Sequence, residues 1–163
     1  DADAIVRLTA DCPLADPEVI DEVIARFEQS GSDYCSNTMT PTYPDGLDVE
    51  VVKAGVLRKV AQQSTDPHER EHVTLGVYRR HDQFTIANVD SGQNLAHLRW
   101  TVDTPADYEF VKAVFEALHE PNPEFGMQDV LDWLEMNPGI SRTDKDAKRN
   151  AALDGLETGA MNA

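Results

Sequence analysis

Apolar residues recur along this chain at two spacings, every second position or every third and fourth, in short blocks separated by polar turns. Ile5–Thr9 predicts a first strand. Asp16-Pro17-Glu18 then supplies an N-cap, a proline at the first helical position and an acidic first turn. Val19, Ile20, Val23, Ile24 and Phe27 follow at helical spacing until Gly31 stops the run. Tyr34–Thr38 predicts a strand leading into the turn Tyr43-Pro44-Asp45-Gly46, where proline and glycine take their favoured turn positions. Leu47–Val52 alternates apolar and acidic residues as a half-buried strand does, and Ala54–Gln63 fits a short helix. From Glu69 to about Arg80 the pattern fits a helix through Val73 and Val77, or a strand through Val73, Leu75 and Val77; helix is the expectation. Phe84–Val89 and Leu98–Val102 predict strands. Thr104-Pro105-Ala106-Asp107 is close to a capping box, and Tyr108, Val111, Phe115 and Leu118 make the buried stripe of its helix. A last helix runs from about Met127 to Met136, ended by Asn137-Pro138-Gly139. Mixed strands and helices in this order predict one α/β sandwich over residues 1–141, with 142–163 as a polar tail or docking arm.

A formal net charge of −16 argues against nucleic acid or an anionic membrane as partner, because both are polyanions. A nucleotide stays possible, since Mg²⁺, a few arginines and backbone N–H groups can hold its phosphates locally. Two cysteines, Cys12 and Cys35, make no disulfide framework, and with no export signal the expectation is a reduced, cytoplasmic protein. The chain opens at Asp1, without a methionine and almost directly on a strand, so upstream sequence is expected to precede it.

Asp11 and Asp103 each fall just past the end of a predicted strand, in a turn that leads to a proline-started helix. In an open α/β sheet that edge gathers ligands, because strand ends and helix N-termini converge there. Two carboxylates suit Mg²⁺, which takes one or two protein carboxylates and shares its other positions with phosphates and water. His68-Glu69-Arg70-Glu71-His72 matches the H-E-x-x-H pattern of zinc hydrolases. Its context is poor: Arg70 and Glu71 occupy positions that are normally uncharged, Pro67 precedes His68, and no third ligand is evident. A solvated helix start is the preferred reading, and a zinc hydrolase using His68 and His72 is the least favoured alternative. Asp48 and Glu50 alternate with apolar neighbours and are expected to face solvent. Arg99 could neutralise phosphate or pair with an acid. Trp100 and Trp133 read as core or interface, and Cys12 as a buried thiol without a partner base.

Four blocks, RLTADCPLADPE from Arg7, YPDGLDVE from Tyr43, EREHVT from Glu69 and LRWTVDTPAD from Leu98, together resemble the cytidylyltransferases of the spore-coat-polysaccharide type. These are similar to the enzymes that make CMP-activated acidic sugars such as acylneuraminate and KDO. The resemblance covers the chain from Asp3 to about Asn150. It implies a Rossmann-like α/β/α nucleotidyltransferase sandwich of the nucleotide-diphospho-sugar transferase type, N-terminally incomplete. It also implies attack of a sugar hydroxyl on the α-phosphate of CTP, releasing pyrophosphate, with Mg²⁺ as cofactor and a homodimer as assembly. By the same resemblance Asp11 and Asp103 would be the catalytic metal-binding aspartates, and Arg7 would lie with Asp11 near the phosphates. His72 would face the sugar, with Arg70 and Asn37 as further contacts. Glu50 and Asp48 belong to one of the blocks, which leaves a site role open for them. The family's glycine-rich loop, whose basic residue holds the triphosphate, has no counterpart here, since the glycines stand singly at turns. The chain is therefore expected to lack half a nucleotide site, to be inactive alone, and to expose a sheet edge and apolar surface. The alternative from another class is a non-catalytic interaction or regulatory module.

Overall fold

The computed structural model describes residues 2–143 and Lys145. Two short strands, β2 (Tyr34–Ser36) and β3 (Glu50–Lys53), form the centre of a four-stranded sheet, with β1 (Ala4–Arg7) and β4 (Ile86–Asn88) at its edges. The order is β1-β3-β2-β4; β3 runs antiparallel to both neighbours, while β2 and β4 are parallel. Both central strands are apolar on both faces, so successive side chains must find cover on opposite sides. Cys35, Val51 and Ala87 pack on one side with Val23 of α1 (Pro17–Ser30), Val114 of α5 (Pro105–Leu118) and Val130 of α6 (Met127–Met136). Tyr34 and Val52 pack on the other with Val60 of α2 (Ala54–Gln63) and Val77 of α4 (Leu75–Tyr78). Helices therefore cover both faces, and the expected three-layer α/β/α sandwich is what the chain builds.

The helix-start signals act as expected, and one does more. Asp16 accepts from the backbone N–H groups of Glu18 and Val19 to cap α1, and its other oxygen accepts from the N–H of Met127 at the start of α6. One buried carboxylate thus stabilises the N-termini of two helices. Gly31 ends α1 in the left-handed conformation at φ 63°. Thr104 and Asp107 form the capping box of α5.

Four expectations change. The strand expected over Leu47–Val52 begins only at Glu50, because Asn37 takes the main-chain bonds a ladder would use: its Nδ2 donates to Leu47 O at 2.7 Å, and Val49 N donates to its Oδ1 at 2.9 Å. Leu98–Val102 is extended but lies outside the sheet. Asp45 N donates to Leu98 O, Trp100 N to Asp45 O, and Arg99 N to Arg142 O, so this segment is wedged between the turn at 45 and residues 142–143. The helix expected from Glu69 to Arg80 is two short ones, α3 (Pro67–Glu71) and α4, broken where the β-branched Val73 takes φ 34°. Glu50 is not solvent-facing: on a strand covered on both sides it is 8 % exposed.

The tail expected from 142 starts docked, through Arg142 and through a bridge between Thr143 and Leu98; Asp144 and residues 146–163 lie outside the described residues. β1 has no strand partner on its outer side among the described residues, and Ile5, Val6 and Leu8 are exposed. No helix among the described residues is long and apolar enough to cross a membrane.

Candidate active site

The four sequence blocks converge on two buried charges. The first is Glu50. Arg7 pairs with it from the neighbouring strand, the Tyr34 hydroxyl donates to its Oε2 at 2.6 Å, and the Thr74 hydroxyl donates to the same oxygen. Burial of the Tyr34 hydroxyl, reinforced by the adjacent Glu50 charge, pushes its pKa well up, so it stays a donor. Arg7 from the first block, Glu50 from the second and Thr74 from the third are thereby locked together. The left-handed Val73 is the bend that delivers Thr74 to Glu50, and it leaves His72 half-buried just beyond α3.

The second buried charge is Arg99, 3 % exposed. Its Nε and Nη2 donate to Asp107 at 3.2 and 3.0 Å, Nη2 also donates to Asp103 Oδ2 at 2.6 Å, and Nη1 reaches Asp45 Oδ2 at 3.4 Å. Arg142 adds two further bonds to Asp107 Oδ1. Burial by itself pushes the Asp107 carboxyl up. Hydrogen bonds from Arg99, Thr104, the Asp103 backbone and Arg142 outweigh it and hold Asp107 well below the usual carboxylate range. Arg99 thus pairs with acids, which resolves the choice its sequence left open. Asp45 and Asp107, read from sequence as a turn residue and a capping residue, are the ones sequence reasoning missed; nothing in their local pattern marks a partner 54 or 8 residues away.

Asp11 and Asp103 are brought to one place. The Asp11 carbonyl accepts from Val102 N at 2.8 Å and from the Thr101 hydroxyl at 3.1 Å, which puts it beside the residue preceding Asp103. Both side chains are solvent-accessible, Asp103 at 54 %. A third acid stands nearby. Burial pushes the Cys12 thiol up to about 12; a hydrogen bond with Thr9 opposes this, and the charges of Asp11 and Asp48 reinforce it. Cys12 is therefore no nucleophile at neutral pH. Iodoacetamide at pH 8 is expected to label neither Cys12 nor the fully buried Cys35 in the folded chain, and to label both after unfolding; rapid labelling of native Cys12 would contradict the assignment.

The remaining predicted residues separate. Arg70 is exposed on α3, and His72 is half-buried at the C-cap of that helix. Asn37 is wholly buried with both amide ends on the main chain of 47–49, and there it braces the loop rather than facing a ligand. The zinc motif finds no third ligand among the described residues. α3 ends at Glu71, His72 is its C-cap, and no cluster of three or more His, Cys, Asp or Glu able to hold a metal occurs among the described residues. Two accessible carboxylates on adjacent loops do fit Mg²⁺, which needs no all-protein cage.

No family model matches the chain. It is 31% identical over 146 residues to the spore coat polysaccharide biosynthesis protein SpsF of Bacillus subtilis, an alignment covering 88% of this chain and 59% of that protein. An uncharacterized protein of Methanocaldococcus jannaschii is 26% identical over 151 residues, covering 91% of this chain and 60% of its own length. The structure of a cytidylyltransferase from Leptospira borgpetersenii serovar Hardjo-bovis superposes with a TM-score of 0.78 at 29% identity, covering 85% of this chain and 58% of that one. The chain thus spans about three-fifths of the length of the curated relatives it matches. By sequence this chain is similar to a spore coat polysaccharide biosynthesis protein, and by sequence and fold to a solved cytidylyltransferase.

Proposed function

We propose that this chain is the larger part of an Mg²⁺-dependent cytidylyltransferase that joins CTP to an acidic sugar, releasing pyrophosphate, for surface polysaccharide synthesis. The observation that carries the reading is the juxtaposition of Asp11 and Asp103, fixed by the bonds from Val102 and Thr101 to the Asp11 carbonyl. Asp11 and Asp103 would hold the ion, which when bound supplies charge neutralisation at the phosphates and polarises the reacting oxygens. Phosphoryl-type transfer is mostly positioning, so the chain's own residues act chiefly by holding geometry. Arg99 orients Asp103, and Glu50 fixes Arg7 at the phosphate side while anchoring the bend that carries His72. His72 and Arg70 form the rim on the sugar side. Asn37, given a sugar contact by resemblance, supports this side indirectly through the 47–49 loop. Inactivity of this polypeptide alone, its cytoplasmic location and its homodimeric state belong to the same proposal.

The test is the melting temperature with CTP, UTP, GTP or ATP, each with and without Mg²⁺. A ligand that binds only the folded state stabilises it by about 2.7 kcal/mol at a hundred times its Kd. The expected result is a shift with CTP and Mg²⁺ together that Asp11→Asn and Asp103→Asn each abolish while melting cooperatively. The second reading, a non-catalytic module, draws on the lack of a glycine-rich phosphate loop in the sequence. A cooperatively folded chain that answers to no nucleotide would favour it.

A further inference from the structure

We propose that Arg99 is a positioning residue that sets the cation preference of the Asp11–Asp103 site, by leaving Asp103 one free carboxylate oxygen. This rests on the metal reading above. Asp103 Oδ2 is occupied by Arg99 Nη2 at 2.6 Å, although the Asp103 side chain is 54% exposed. The guanidinium cannot follow a swinging carboxylate. It is 4% exposed, forked onto Asp107 and tethered to Asp45. Asp107, 0% exposed, also accepts from the backbone N–H groups of Asp103 and Thr104, so one buried carboxylate fixes both the main chain of Asp103 and, through Arg99, its side chain.

Held this way, Asp103 offers a cation Oδ1 unshared, while the charge-assisted bond from Arg99 competes for Oδ2 and disfavours bidentate binding. Mg²⁺ demands near-octahedral geometry at about 2.1 Å and is satisfied by single oxygens, whereas Ca²⁺ takes six to eight ligands and exploits bidentate carboxylates. An arginine on one oxygen therefore favours the smaller ion. An exposed aspartate alone would not discriminate, since it could rotate to present either one oxygen or two.

The test is calorimetric titration of the full chain with Mg²⁺ and with Ca²⁺, each with CTP present and absent. Wild type is compared with Arg99→Gln and with Arg99→Gln/Asp107→Asn, the double variant removing the buried charge that the single one leaves short of a partner. The expected result is Mg²⁺ affinity weakened about tenfold or more, the usual cost of losing an outer-shell partner. Ca²⁺ affinity should be unchanged or higher, in whichever variant melts cooperatively. A merely structural role would weaken both ions together. An unchanged Mg²⁺ to Ca²⁺ ratio, in variants that still lose cation binding on Asp103→Asn, overturns this inference and leaves the metal site standing. Wild type that binds neither ion overturns both.

Discussion

Asp107→Ala is expected to destabilise the chain by about 3–5 kcal/mol, the usual result of removing one partner from a buried ion pair. The carboxylate is 0% exposed and serves Arg99, Arg142 and two backbone N–H groups at the start of α5. Its loss leaves Arg99 buried against only the half-exposed Asp103 and the more distant Asp45. For a domain of this size the melting point should fall on the order of 10 °C. Thr104→Ala is the comparator, because it removes the capping hydroxyl and leaves the ion network, at a cost of about 1 kcal/mol. Equal costs for the two would show that Asp107 matters only as a cap. The same residue dictates a pH dependence. Burial raises its pKa, but the bonds from Arg99, Thr104, the backbone and Arg142 hold it well below the unfolded value. A depressed carboxyl stabilises fully above its unfolded pKa of about 3.9 and loses that contribution as pH falls toward the folded value. The gap in melting temperature between wild type and Asp107→Asn should therefore be widest above about pH 5 and narrow steadily toward pH 2. Parallel curves over that range would contradict the assignment.

Gly46→Ala is expected to cost roughly 2–5 kcal/mol, from backbone strain and overpacking together. Gly46 stands at φ 112°, and a Cβ there would meet Thr101 N and Trp100 C at 2.6 Å and Trp100 O at 2.9 Å. All three are main-chain atoms, so no side chain can move aside. They also belong to the segment that holds the Asp11 carbonyl and leads into Asp103. The variant should accordingly lose the response to CTP and Mg²⁺ as well as stability. Gly31→Ala separates the two contributions: φ is 63° but nothing lies within 4 Å, so only the left-handed conformation is penalised, at about 1 kcal/mol. If the two substitutions proved equally mild, the turn at 45–46 would not be packed against 100–101 as the structure has it.

Much of this architecture is local and was therefore legible in the residues. α1, α2, α5 and α6 follow from apolar spacing and capping signals within one or two turns, and both Asp16 and Thr104 cap where the sequence places them. Asp11 and Asp103 could be named because turns that lead into proline-started helices announce themselves within a few residues. Val73 was not foreseeable, since a β-branched residue enters the left-handed region only when a distant contact repays the strain, here Thr74 on Glu50. The strand expected at 98–102 failed for a related reason: alternation signals an extended chain but does not say which neighbour receives its hydrogen bonds.

What the amino-acid sequence determined by itself is the helices α1, α2, α5 and α6, the apolar faces that force a three-layer sandwich, and the turns that carry Asp11 and Asp103. What only the tertiary structure decided is the use of the charges. Glu50 read as a solvated alternation, and Arg99 as a partner of either a phosphate or an acid, yet each is a buried hub joining more than one motif block. The physical reason is desolvation: a buried ion is tolerated only with partners that satisfy it on several sides. Three of those partners, Thr74 and Arg7 on Glu50 and Asp45 on Arg99, come from segments 24, 43 and 54 residues away, which no local pattern can bring together.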